Sequence, residues 1–280
     1  MKGLWKRAED SRLAILTMLV ILVLWEGGVR WFAVREFLLP APSKIFAEFM
    51  AQPGFLLMQT LDTLQTTMAG FVLAVVLGVG AAIGIVYSRF LDRTLYSLMV
   101  ALNAVPKVAL APLFVIWLGT GSAPKIAIAM LIAIFPILID TVLGLKSIDP
   151  EMLNMARANQ ASRRKVLWKI RFPNALPSIF AGMKVGISFA LVGTIVGEFV
   201  AGGSGLGYVI LVAQGSFDTP TVFVALALLC ILGVILFKAL EIVEEHLLPW
   251  HASQRGRPIA ESPSSAQQDK QMPLLAEAKR

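Results

Sequence analysis

Lys107 stands in the middle of an apolar run, Thr94 to Leu118, with Asn103 one helical turn before it on the same face. A lysine at the centre of a membrane helix costs about 2.5–3.5 kcal/mol, whereas each Leu, Ile, Val or Phe returns about 0.3–0.6. The twelve such residues in this run carry it into lipid, but by a narrow margin. A cation so placed faces protein or a wet cavity, where it can meet a polar or anionic solute. Glu198, near the outer end of a later apolar run, is a candidate partner for Lys107 across a depth difference of about 10 Å, part of which a long lysine stem can cover. Thr63 and Thr67 share a helix face with Gly70 and are further candidates for lining a passage. These five side chains suit the handling of a solute, not the making of bonds. No apolar run pairs carboxylates, clusters histidines or sets a serine beside a base, so neither an enzyme nor a metal centre is expected. Cys230 is the only cysteine, which excludes a disulfide framework and a thiolate metal site.

These residues sit in a chain whose composition places it in a membrane. Of its 280 residues 57% are hydrophobic and 15% charged, with a mean hydropathy of +0.74. A soluble domain carries about 25% charged residues. The length accommodates about six helical spans of roughly 20 residues. Hydropathy puts them near Leu13–Ala33, Leu61–Tyr87, Thr94–Leu118, Pro124–Gly144, Pro177–Val200 and Pro220–Glu245. The first follows Lys2, Lys6 and Arg7 but lacks a small-residue cleavage site, so a retained span is expected over a signal peptide. The expected organisation is a cytoplasmic segment at 1–12, one transmembrane domain at 13–250 and a disordered tail at 251–280, rich in Ser, Pro, Gln and charge.

Twenty of the 25 Lys and Arg residues lie before the first span, in the Ser88–Arg93 turn, between Lys146 and Lys184, or from Lys238 onward. Basic loops stay on the cytoplasmic side, so both termini are expected there. The net charge of +7 then reflects topology, not nucleic-acid binding. On the opposite side, Ser43 is expected to cap a short interfacial helix, Lys44 to Met50, and Gly202–Gly207 to make a tight backbone re-entry.

Between the fourth and fifth spans lie 27 residues, Lys146 to Phe172, too polar for lipid. Asp149 offers a cap with Pro150 in the first helical position, and a helix from Glu151 to about Asn159 should follow. Ser162 offers a second cap for a basic helix ending before Pro173. In the fifth span Gly182, Gly186, Gly193 and Gly197 fall within roughly 60° of one another, making a smooth groove for close helix packing. Gly80 and Gly84 suggest the same for the second span. Pro106, Pro112 and Pro136 interrupt their helices and free carbonyls for hinges.

This knuckle of two short capped helices, Lys146 to Phe172, resembles the EAA loop of permease subunits of binding-protein-dependent ABC importers. That pattern runs Glu-Ala-Ala, three residues, Gly, nine residues, Ile, one residue, Leu-Pro. Asn154, Met155, Ala156, Gln160, Ile170, Phe172 and Pro173 occupy its positions in register, with Ala156, Ile170 and Pro173 matching in type. Pro106 to Leu113, Trp117 to Gly121, Phe172 to Pro177, Glu198 and Gly205 to Tyr208 look like the nitrate, sulfonate and taurine branch, and the likeness covers Leu38 to Trp250. The resemblance implies a type I importer fold: an all-α membrane protein of six spans, with Met152, Leu153, Met155 and Ala156 on a coupling helix that enters a groove of an ATPase. It further implies a permease homodimer in a bacterial inner membrane, two cytoplasmic ATP-binding subunits and a periplasmic or surface protein that delivers the solute. No Gly-x-x-x-x-Gly-Lys-Ser/Thr occurs here, so nucleotide chemistry belongs to another chain and no cofactor is expected. A carrier driven by an ion gradient is the alternative, though it calls for inverted repeats that this sequence does not display.

Overall fold

The computed structural model describes residues 2–88 and 105–248, with side chains from residue 16 onward. Every regular element among them is helical: α1 (Lys2–Trp31), α2 (Pro42–Ala51), α3 (Pro53–Tyr87), a 3-10 turn (Lys107–Leu110), α4 (Ala111–Leu118), α5 (Ser122–Lys146), α6 (Pro150–Ala158), α7 (Arg163–Val166), α8 (Phe172–Ala201), α9 (Leu206–Gly215) and α10 (Thr219–Leu247). A π turn, Leu167–Arg171, joins α7 to α8. Four helical stretches among the described residues are long and apolar enough to cross a membrane: Pro53–Tyr87, Ser122–Lys146, Arg163–Ala201 and Thr219–Leu247. Two compact units are distinguished, Met1–Glu241 and Ile242–Arg280, with the boundary inside α10. In the second, His246 Nδ1 lies 2.8 Å from the Ile242 carbonyl. The proposed tail, 251–280, and Asn103 fall outside the described residues.

The centre of the first unit is the packing of α8 on α5, with α3 against both. Glycine sets the distance. A Cβ on Gly182 would lie 2.8 Å from Asp140 Cβ, on Gly186 2.6 Å from Ile137 Cγ1, on Gly193 2.7 Å from Ala129 Cα and on Gly197 2.8 Å from Lys125 Cα. From α5 the reciprocal gap is Gly144 against Ser178, where a Cβ would lie 2.6 Å away. Backbones this close gain dispersion contacts that lipid cannot supply. In α3 the close approaches are at Gly70, facing Ala129, and Gly78, facing Ile137. The expectation for Gly80 fails, because a side chain there would meet nothing within 4 Å. Around these contacts Phe71, Ala74, Ile187, Leu191, Val209 and Leu229 form part of the main apolar core.

Four further expectations are corrected. The second knuckle helix does not end before Pro173. The π turn carries it into α8, because widening the turn just ahead of proline removes the need for the missing N–H. Lys107 is not at a helix centre: Pro106 is extended and Lys107 opens a short 3-10 turn, with Pro112 in the first turn of α4. Ser43 does not cap α2, whose N-cap is Ala41. Instead Glu26 of α1 accepts from the Ser43 N–H at 3.0 Å and its hydroxyl at 2.8 Å, setting a carboxylate at the positive end of α2. The interruption expected at Pro136 also fails, since α5 runs unbroken through it.

Candidate functional site

The knuckle is built from its caps outward. Asp149 Oδ1 accepts from the Glu151 N–H at 2.8 Å, and Pro150 takes the first helical position of α6. At the other end the Ala161 N–H reaches the Ala156 carbonyl at 2.9 Å and the Gln160 N–H reaches Arg157 at 2.9 Å, a Schellman closure. That closure needs a left-handed residue, and Gln160 supplies it with φ 52°. The glycine of the EAA pattern thus has a physical reason, since only glycine takes this conformation without a Cβ clash. Ser162 accepts from the Lys165 N–H at 3.4 Å and starts α7. The Arg171 guanidinium donates to the Leu145 carbonyl at 3.0 Å, fastening the knuckle to the C-terminal end of α5.

With both ends closed, α6 presents Met155 at 67% and Met152 at 50% exposure on one face. Ala156 is buried, Leu153 half-buried and Asn154 exposed. Methionine is unbranched and polarizable, which suits a surface that re-packs against a partner. Ile170 is half-buried in the π turn and Pro173 is exposed just beyond it.

At the other end of α8 lies a buried polar cluster. Glu198 is 1% exposed and accepts from the Thr63 hydroxyl at 2.8 Å and the Gly207 N–H at 2.7 Å. Thr63 in turn accepts from the Leu206 N–H at 2.8 Å, and Gln59 Oε1 accepts from the Gly205 N–H at 2.6 Å. Thr67 meets Thr194 at 3.0 Å. Three successive N–H groups at the start of α9 are therefore satisfied by side chains of α3 and α8, which otherwise would be orphaned in an apolar setting. Gly202–Gly207 serves as a re-entry whose Gly202, Gly203 and Gly205 have positive φ. A side chain at Gly205 would collide with the Glu198 carboxylate.

Thr63, Thr67 and Glu198 face protein in this conformation and not an open passage. Glu198 has Lys125, not Lys107, as its neighbouring cation; Lys125 is 3% exposed and donates to the Ser204 carbonyl at 2.9 Å. Lys107 lies with its ammonium 4.4 Å from the Phe135 ring centre, a cation–π contact between the 3-10 turn and α5. Sequence reasoning missed Gln59, Lys125, Thr194 and Ser204. Gln59 and Thr194 were within reach of it, each standing four residues before a noted polar residue, Thr63 and Glu198.

Four long apolar helices, glycine-sealed helix packing and a capped polar knuckle between two of them are the features of a membrane permease. The chain belongs to the family described as binding-protein-dependent transport system inner membrane component, which matches residues 74–247. It is a permease subunit of an ABC importer and not an enzyme; ATP hydrolysis falls to a separate ATPase. It is 38% identical over 85% of its length to the riboflavin transport system permease RibX of Chloroflexus aurantiacus, covering 90% of that protein. The formylaminopyrimidine transport permease ThiX of Halalkalibacterium halodurans is 32% identical over 89% of this chain and 100% of its own. The taurine transport system permease TauC of Escherichia coli is 28% identical over 90% of this chain and 94% of its own. The fold is similar to that in an inward-facing structure of the MetNI methionine ABC transporter, with a TM-score of 0.60 and 18% identity over 70% of this chain and 96% of that one.

Proposed function

We propose that the chain forms the translocation pathway for a small polar or anionic solute, as a homodimer of six-span subunits in a bacterial inner membrane, with both termini and the knuckle cytoplasmic. Two ATP-binding subunits dock on the knuckles, and a periplasmic or surface protein delivers the solute. The observation that carries this reading is α6: a helix closed at both ends, in EAA register, holding Met152 and Met155 out from the protein. Lys107 and Asn103 are the proposed pathway residues, while Thr63, Thr67 and Glu198 are assigned to holding the outer end closed. Tagged chain is expected to co-purify the ATPase subunit, and Met155→Arg to abolish that capture while leaving the chain in the membrane. A gradient-driven carrier would instead transport in liposomes as the purified chain alone, and that result would overturn the proposal.

Two solute classes compete. The taurine relative and the aliphatic sulfonate permease SsuC of Bacillus subtilis, 29% identical, support a sulfonate or nitrate-like anion. The higher identities to the riboflavin and formylaminopyrimidine permeases favour a nitrogen heterocycle, and Lys107 beside Phe135 suits either a negative charge or a π face. Uptake of labelled riboflavin, a formylaminopyrimidine and taurine by cells with and without the gene separates them.

A further inference from the structure

Beneath the knuckle lies a cavity of about 560 Å³, between the end of α3 and the α6–α7 bend. Three guanidiniums line it, Arg157, Arg163 and Arg171, together with Tyr87, Leu153 and Leu167. No carboxylate is among the lining residues, and none of the three arginines forms an ion pair among the described residues. Arg171 spends one of its five donors on the Leu145 carbonyl, and Arg157 makes a single long contact of 3.4 Å with Asn154. Three like charges around one cavity repel unless an anion sits among them.

We infer that this cavity binds a phosphate group. Guanidinium forks match phosphate oxygens in pairs, and the apolar wall suits the glycerol or carbon part of a larger molecule. The cavity lies where α3, a helix long and apolar enough to cross the membrane, ends at Val86 and Tyr87, so an anionic phospholipid headgroup or a free phosphate is the phosphate source to test. Leu153 and Arg157 lie about 150° around α6 from Met152 and Met155, so the ligand sits on the side of the knuckle helix away from its methionine face. Bound phosphate ties α6 and α7 to the end of α3.

The test uses the full chain in lipid nanodiscs and reads binding, so its outcome is separate from that of ATPase capture. One arm compares retention of phosphatidylglycerol with phosphatidylcholine by native mass spectrometry; the other titrates inorganic phosphate. Arg157→Gln with Arg163→Gln is expected to weaken binding about tenfold or more, with partial recovery on Arg163→Lys. Arg164→Gln and Lys165→Gln, outside the cavity, are expected to change nothing. Should the double variant fold poorly, Arg163→Gln alone, at an exposed position, gives the same reading. Preference for phosphatidylglycerol identifies a headgroup site, and phosphate binding without lipid preference identifies a soluble ion. Equal retention by wild type and the glutamine variants in both arms overturns the inference.

Discussion

Gln160 holds a backbone conformation that disfavours any residue with a Cβ by about 1–2 kcal/mol. Gln160→Gly should therefore stabilise the end of α6 by up to about 1 kcal/mol, seen as roughly fivefold slower hydrogen exchange at Gln160 and Ala161. Unchanged exchange would show that the turn is held by contacts other than its own dihedrals. At this scale the sequence was half legible. The caps at Asp149 and the expected role of Ser162 depend on neighbours two or three residues away, and such local bonds can be read from spacing. The partners of Glu198 could not be. Thr63 is 135 residues distant, and only the fold decides that Lys125 and not Lys107 comes near it.

For elements, hydropathy located four spans that fall inside long apolar helices, Leu61–Tyr87, Pro124–Gly144, Pro177–Val200 and Pro220–Glu245, because lipid leaves the backbone few choices besides a helix. It gave no account of α9, whose ten residues follow a glycine-rich segment and are too few to span. At Pro106 it was proline, not hydropathy, that marked the irregular backbone, since a run of apolar residues is compatible with either a straight or an interrupted helix. The glycine stripe of α8 separates two outcomes sharply. Gly193→Leu has to push Ala129 aside, which costs more than the 1–3 kcal/mol typical of overpacking, and should nearly abolish folded protein in detergent extracts run on a sizing column. Gly80→Leu faces open space and should leave the yield close to wild type. Equal yields for the two would refute the close-packing account.

Across the whole molecule, the proposed orientation, argued from charge bias, puts the knuckle and both termini on one side of the membrane and the Gly202–Gly207 segment on the other. Cys230 is the sole cysteine, so Cys230→Ser gives a clean background for testing this. A cysteine placed at Met155 should react with an impermeant maleimide only in inverted vesicles, and one at Ser216 only in intact spheroplasts; the reverse pattern would sink the orientation. The seam between α5 and α8 has a mechanical corollary. These two helices flank the knuckle on either side, and from Gly182 to Gly197 α8 lies close on α5, against Asp140 and Ile137 side chains at one end and the Ala129 and Lys125 backbone at the other. So little clearance opposes sliding or rotation of one past the other, and the two are expected to swing as one rod. On the proposed coupling role of α6, a push delivered there would be carried toward the far tip of α8, roughly 45 Å away for its 30 residues, where Glu198 grips the first turn of α9. Whatever flexes during transport has to be sought in the helices around that rod.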